Sequence, residues 1–331
     1  MCRALSATIL AAFALAGAAG CAAKARPQTS PQPPSRSPSG IETIGELKAF
    51  ESTLGGHETE NFLRYSPRLT SDDRCYFTGK LELPQFYSGL KLVREAEAPC
   101  MARASISDVF FYPVQAVASG EETITVGLAE APVERVLVVV PHEDFHNQAE
   151  ALKVPTEIAE SAATLVGFLT ASAFAREKFG DASPTFRGLE RDADIFFQKS
   201  LIVNLYYDKL TELYGSFRSG ALTEAQTLDR KTELFGDLQR DCSAITPDPV
   251  SFNKCPAAMN NAGLAFDRTY TRNYPALHDL YVRLGRNTAT VVPTLKGLMA
   301  QWPSGQRIDA SEILERLING RIGTAGSDKQ Q

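Results

Sequence analysis

From residue 155 onward the apolar positions of this chain recur every three to four residues, whereas between 65 and 125 they fall in short runs cut by Pro67, Gly79, Pro84, Gly89, Pro99, Pro113 and Gly120. The first pattern predicts amphipathic helices and the second a small, irregular β region, with 106–117 as one strand and 124–128 as another. Ahead of the β region, Ile44, Leu47 and Phe50 mark a short helix that starts near 41 and stops at Gly55-Gly56. The run 136–140 is apolar throughout, so it is either a buried strand or the buried front half of a helix, and periodicity does not separate the two. Pro141 suits the first turn of a new helix or kinks a longer one; in both cases the chain is helical from there on.

A helix over 155–179 opens on Pro155, closes before Gly180 and is dense in small residues, which allows a neighbouring helix to approach closely. Ser183-Pro184 caps the next and longest helix, reaching about 217, with Leu189, Phe196, Phe197, Leu201, Leu205, Leu210 and Tyr214 on its inward side. Thr223 and Gln226 form a capping-box pair for a helix to about 240, so the two read as an antiparallel hairpin joined at Gly220. A proline-containing loop over 243–258 follows, then helical patterns over 256–267, 275–284 and 290–301. A last helix begins at Asp309, with Glu312 as box partner and Ile308 and Ile313 as a hydrophobic staple. The polar tail 323–331 reads as disordered. The fold class predicted is α+β, mainly α.

The N-terminus is set apart by composition. Arg3, an apolar run over 5–16 and Ala18-Ala19-Gly20 before Cys21 resemble a bacterial lipoprotein signal over 1–20, which implies an exported chain held to the membrane, facing the periplasm, by lipid on Cys21. Residues 21–40 are a Pro/Ser-rich tether that cannot form a core. No second linker follows, so 41–322 reads as a single domain, and no later stretch reaches the apolar length that a membrane-spanning helix needs. Cys75, Cys100, Cys242 and Cys255 remain for an oxidising compartment, and nearest-neighbour pairing gives two bridges. A net charge of −5 and a pI of about 5.6 offer nothing to nucleic acid. Oligomeric state is not indicated.

Chemistry concentrates in His142-Glu143-Asp144-Phe145-His146, an H-E-x-x-H stretch holding two of the four histidines. At i and i+4 the two imidazoles lie on one helical face and can share an ion, with Glu143 beside the remaining position as a base for water. Asp144 is an unusual occupant, placed either to bond a histidine or to face solvent. Catalytic zinc takes three protein ligands. Leu152 excludes a third histidine at the metzincin spacing. Glu150 lies about 12 Å along the axis from His142, too far to share an ion. Glu157 and Glu160 remain, on the next helix. A first-turn Glu157 is explained by the helix dipole, while Glu160 sits among Ala159, Ala162 and Ala163, where an unpaired carboxylate is costly to bury. Glu160 is therefore favoured over Glu157.

These stretches resemble the predicted bacterial aminopeptidases, zincin-like metallopeptidases often found as lipoproteins. The matching segments are HEDFHNQ (142–148), AESAAT (159–164), the helices around LYYDKLTELYGSF, Asn260-Asn261-Ala262-Gly263-Leu264 followed by Tyr270, and Gly127 with Pro132 before the motif. The resemblance implies a zinc (Zn2+) peptidase acting on peptides or proteins, with His142, His146 and Glu160 as metal ligands and Glu143 as base. Departures stand at Asn147, Ala159 and Thr271. Tyr270 is placed either to steady a developing oxyanion or simply to pack in a helical core. Asn260 and Asn261 suit a turn or cap, and His57 and His278 read as non-functional. The competing reading is a non-catalytic envelope lipoprotein that binds a partner on a degenerate scaffold, with the metal's open position plugged or no cleft reaching it.

Overall fold

Ile44 and Leu47 share one face of α1, Gly40–Thr53, and both are fully buried, which anchors the start of the described chain to the core. The computed structural model describes residues 40–68, 71–117, 120–245, 254–303 and 309–327. The expected signal peptide and all of the tether but Gly40 lie outside them. The described residues cluster as one compact unit.

The β region is β1 (Tyr65–Ser66), β2 (Asp72–Gly79), β3 (Lys91–Arg94), then a short helix α2 (Glu97–Ala102), β4 (Ser107–Val114) and β5 (Ile124–Thr125). An antiparallel sheet has the order β3-β2-β4, and β1 pairs with β5 in parallel. In the β2–β4 register Arg74 stands opposite Tyr112 and Tyr76 opposite Phe110, so these four side chains share one face. Cys75 on the other face is bonded to Cys100 of α2. The strand expected over 124–128 lasts two residues. Thr125 Oγ1 accepts the Leu128 N–H at 3.0 Å and turns the chain into α3, Val126–Ala129.

The apolar run 136–140 belongs to a helix, α4 (Val133–His146), with Pro141 inside it. It reads like a strand because α4 is covered on several sides, by α1 and by α5, Thr156–Phe179, so that five consecutive residues are buried. By length and composition α5 could cross a membrane, contrary to the expectation above that no such stretch follows the N-terminus. It is instead the core helix, buried along most of its length.

The hairpin of α6 (Pro184–Arg218) and α7 (Glu224–Ile245) turns at Gly220, whose φ is +77°. Both bonds of the Thr223–Gln226 box are present, at 2.9 and 3.3 Å. The inward face of α6 differs from expectation: Leu201 and Leu205 are 48% and 49% exposed, while Val203, Tyr206 and Tyr207 are buried. The buried stripe follows a seven-residue repeat, Leu189, Phe196, Val203 and Leu210, whose companion positions include Asp192 and Lys199. Those buried polar residues disguise it. Lys199 Nζ donates to Asp267 Oδ1 at 2.8 Å and to the Lys254 carbonyl, which satisfies it inside.

The remaining helices are α8 (Asn261–Thr271), α9 (Tyr274–Arg283), α10 (Thr288–Ala300) and α11 (Ala310–Ser327). The helix expected from 256 begins at 261. Cys255 is tied to Cys242, Asp267 Oδ2 accepts the Ala257 N–H, and Asn260 caps α8 by accepting from Gly263 N–H at 3.1 Å. Both disulfides follow the nearest-neighbour pairing. Asp309 Oδ1 accepts the Ser311 N–H, while Glu312 pairs with Arg316 rather than closing a box, and Ile308 lies outside the described residues. The tail expected to be disordered from 323 stays helical to Ser327, since Gly323 and Gly326 weaken a helix without a proline to end it; 328–331 are outside the described residues.

Candidate active site

Three nitrogen and oxygen atoms meet where α4 and α5 cross. His146 Nε2 lies 3.2 Å from His142 Nε2 and 3.1 Å from Glu160 Oε2, and His142 Nε2 lies 3.2 Å from the same oxygen. The two histidines come from successive turns at the end of α4, and Glu160 from the second turn of α5. Gly167, two turns further along α5, lets the helices approach. A Cβ there would stand 2.7 Å from the Val138 carbonyl oxygen and 3.3 Å from His142 Cβ.

The three groups set one another's charge. Burial holds His142 below its ordinary pKa, only partly offset by its hydrogen bond to Glu160. Burial works in the same direction on His146, but the charge and hydrogen bond of Glu160, with Glu143 beside them, raise it overall. Burial alone would raise Glu160; the charge of His146 and the hydrogen bonds of both histidines hold it well below the usual carboxylate range. Thr164 Oγ1 donates to the Glu160 carbonyl at 2.8 Å, so towards His142 Nδ1, 3.4 Å away, it offers a lone pair. With an ion in the site, a proton kept on Nδ1 towards Thr164 would free the lone pair of Nε2, which in the ion-free protein faces Glu160 as a donor.

Glu143 is half-buried in the wall of a cleft of about 380 Å³ that opens on the three donors. Burial pushes its carboxyl up to about 8, the charge of His146 pulling against this and Glu160 adding to it. Tyr270, on the last turn of α8, lines the same cleft, its ring centroid 6.1 Å from that of His142. Its carbonyl accepts from Ser161 Oγ at 2.9 Å, which ties α8 to α5. All five residues singled out in the sequence, His142, Glu143, His146, Glu160 and Tyr270, therefore face one cleft.

Other residues go elsewhere. Glu157 lies outside the donor cluster, half-buried beneath Asn273, whose Nδ2 donates to its carbonyl. Asp144 neither bonds a histidine nor faces solvent: it is buried and accepts from Lys48 Nζ at 2.6 Å, Thr59 Oγ1 at 2.5 Å and Asn61 Nδ2 at 3.0 Å. It fixes the far side of α4 to α1 and to the segment after it. His57 engages Gln148 through its backbone, and His278 stacks on Phe197. Sequence reasoning missed Tyr87, whose hydroxyl donates to Glu160 Oε1 at 3.1 Å while its N–H donates to Thr269 Oγ1 at 2.9 Å. It sits in a short turn between Pro84 and Gly89, and no period or spacing marks it.

The donor set fits a metal. A tetrahedral ion with bonds of about 2.0–2.1 Å needs ligand atoms roughly 3.3 Å apart, close to the three observed edges. Among the described residues one other trio brings donors within 4.8 Å of one another, and its cysteines, Cys75 and Cys100, are consumed in a disulfide.

A mainly helical fold with small sheets thus carries a two-histidine, one-carboxylate cluster at the mouth of a cleft. Residues 124–309, more than half of the chain, match the family described as "Putative aminopeptidase", and the chain belongs to that family. No curated protein and no solved structure matches it. Family membership points to peptidase activity.

Proposed function

We propose that this protein is a zinc-dependent peptidase of zincin type, with His142, His146 and Glu160 as ligands and Glu143 as general base. The observation that carries the reading is the triangle of Nε2, Nε2 and Oε2 atoms, each edge 3.1–3.2 Å, opening on a cleft. Zinc, when bound, supplies the Lewis acidity that makes water nucleophilic near neutral pH and polarises a peptide carbonyl. Glu143 takes the proton from the attacking water on its carboxylate and delivers it to the leaving amine nitrogen. Tyr87 and Thr164 hold Glu160 and His142 in place, and Tyr270 stands where a hydroxyl can meet the developing oxyanion. The cleft in front of the donors supports catalysis over a purely structural site, for which a plugged position is expected.

The test is metal content together with peptide hydrolysis. Purified wild-type protein should hold about one zinc per chain and cleave peptides, while Glu143→Gln keeps the metal and loses roughly 10²–10⁴-fold in kcat. A wild type without metal, or a variant with unchanged kcat, would end the proposal. Lipidation at Cys21 accounts for the small residues before it and for two disulfides in an exported chain. Cys21→Ala should move the protein from the membrane to the soluble fraction; continued membrane retention would refute the anchor.

A further inference from the structure

The wall of the cleft away from the donors carries two guanidinium groups. Arg135 lies on α4 seven residues before His142, so the two share a face about 10 Å apart along the axis. Its Nε donates to Gln115 Oε1 at 2.7 Å and an Nη to Tyr112 OH at 3.5 Å, which fixes the plane of the fork. Arg74 reaches the same place from β2, directly across the sheet from Tyr112. Asp72 is bonded to Arg74 at 2.8 Å and to Arg94 at 3.0 Å, so one carboxylate serves two guanidiniums. The two cleft arginines thus flank Tyr112 on a preformed, positively charged shelf.

A shelf of this kind suits a carboxylate. Guanidinium forks match the two oxygens of a carboxylate, and a fork already held in plane loses little freedom on binding. A free N-terminal amine asks for the opposite charge. Among the described residues lining the cleft, the carboxylates are Glu143 and Glu160, and both already have roles at the donor cluster. An extended peptide covers the distance from donors to shelf in about three residues, fewer once the reach of the arginine side chain is counted.

We propose that the cleft selects peptides bearing a carboxylate about two to three residues from the scissile bond, with Arg135, assisted by Arg74, as the group that reads it. The proposal rests on the peptidase reading for the position of the scissile bond, but its own content is a binding preference. The carboxylate is either the C-terminus of a short peptide or an Asp or Glu side chain within a longer one.

Calorimetric titration of the zinc-loaded Glu143→Gln protein, which binds without turnover, provides the test. Three versions of one short peptide serve as probes: free C-terminus, C-terminal amide, and amide with an internal Glu. One of the two carboxylate peptides should bind about 10- to 100-fold more tightly than the neutral amide, the worth of a hydrogen bond to a charged group, and which one it is identifies the source. Adding Arg135→Gln should collapse that ratio towards one, while Arg135→Lys, folded by circular dichroism, should retain part of it. Equal binding of all three peptides, binding of none, or a preference that survives Arg135→Gln would overturn the proposal. Wild-type turnover separates the two readings. Cleavage without carboxylate preference leaves the peptidase and removes the shelf, whereas carboxylate-selective binding without cleavage does the reverse.

Discussion

A carboxylate at position 160 is expensive unless something positive faces it, and this single consideration separates it from Glu157 before any fold is known. In the folded chain the two histidines supply that partner at 3.1 and 3.2 Å. Glu143 is compensated less: burial outweighs the pull of the His146 charge and holds its carboxyl at about 8 in the metal-free protein. Because the folded-state pKa lies above the ordinary value near 4.5, the folded state binds more protons than the unfolded state between those limits, and stability falls as pH rises through them. Glu143→Gln, which cannot ionise, should therefore make the metal-free protein more stable than wild type at pH 8. The gain should be on the order of 2 kcal/mol, allowing for the partly solvated carboxyl, and should shrink towards pH 5. Urea melts at both pH values measure this; a gap that widens on acidification would show the sign to be wrong. Residues acting through a neighbour were not legible in the same way. Tyr87, Thr164 and Arg135 each look like ordinary occupants of a turn or a helix, and only tertiary contacts give them Glu160, His142 and the cleft as surroundings.

Between elements, the decisive contact is the close crossing of α4 and α5. The small residues of α5 announced such an approach in the sequence, but not which helix would make it, since 136–140 fitted a strand as well. Gly167 is where the approach is tightest. Gly167→Ala puts a Cβ 2.7 Å from the Val138 carbonyl oxygen, a backbone atom that cannot turn aside, so the helices must separate. Overpacking of this kind costs about 1–3 kcal/mol. Here it also moves Glu160 relative to the histidines, so zinc affinity should fall together with melting temperature. Gly188→Ala on α6 is the control: nothing lies within 4 Å of its Cβ, and replacing a mid-helix glycine there should be neutral or stabilising by up to about 1 kcal/mol. Competition with a zinc-binding dye, run beside thermal melts, follows both quantities. Intact affinity in Gly167→Ala would mean that the crossing does not set the site. The misjudged face of α6 has the same kind of origin. A buried Asp192 and Lys199 break the hydrophobic stripe, and only the partner Asp267, far along the chain, makes Lys199 tolerable inside.

Across the whole molecule, the donor cluster is not an appendage. Its three side chains come from the two helices at the centre of the largest hydrophobic cluster, whose members Val138, Val139, Ala162 and Ala163 flank the donors in sequence and are buried. An ion held there bridges elements that must stay together for the core to exist, so binding should couple to global unfolding rather than to the order of a loop. Free zinc at about 100 times its Kd stabilises the folded state by roughly 2.7 kcal/mol. For a domain of this size each kcal/mol is worth about 2–4 °C, so the melting temperature should rise by about 5–10 °C over protein stripped with a chelator. Glu160→Ala removes one donor and should abolish most of that difference, which ties the shift to this cluster rather than to zinc bound elsewhere. The disulfides act independently, Cys75–Cys100 in the sheet region and Cys242–Cys255 between α7 and the start of α8, so reduction should lower the melting temperature with and without zinc by similar amounts. Superimposable melts in zinc and in chelator, under either redox condition, would mean that the three donors meet in the core for packing reasons and bind no ion there.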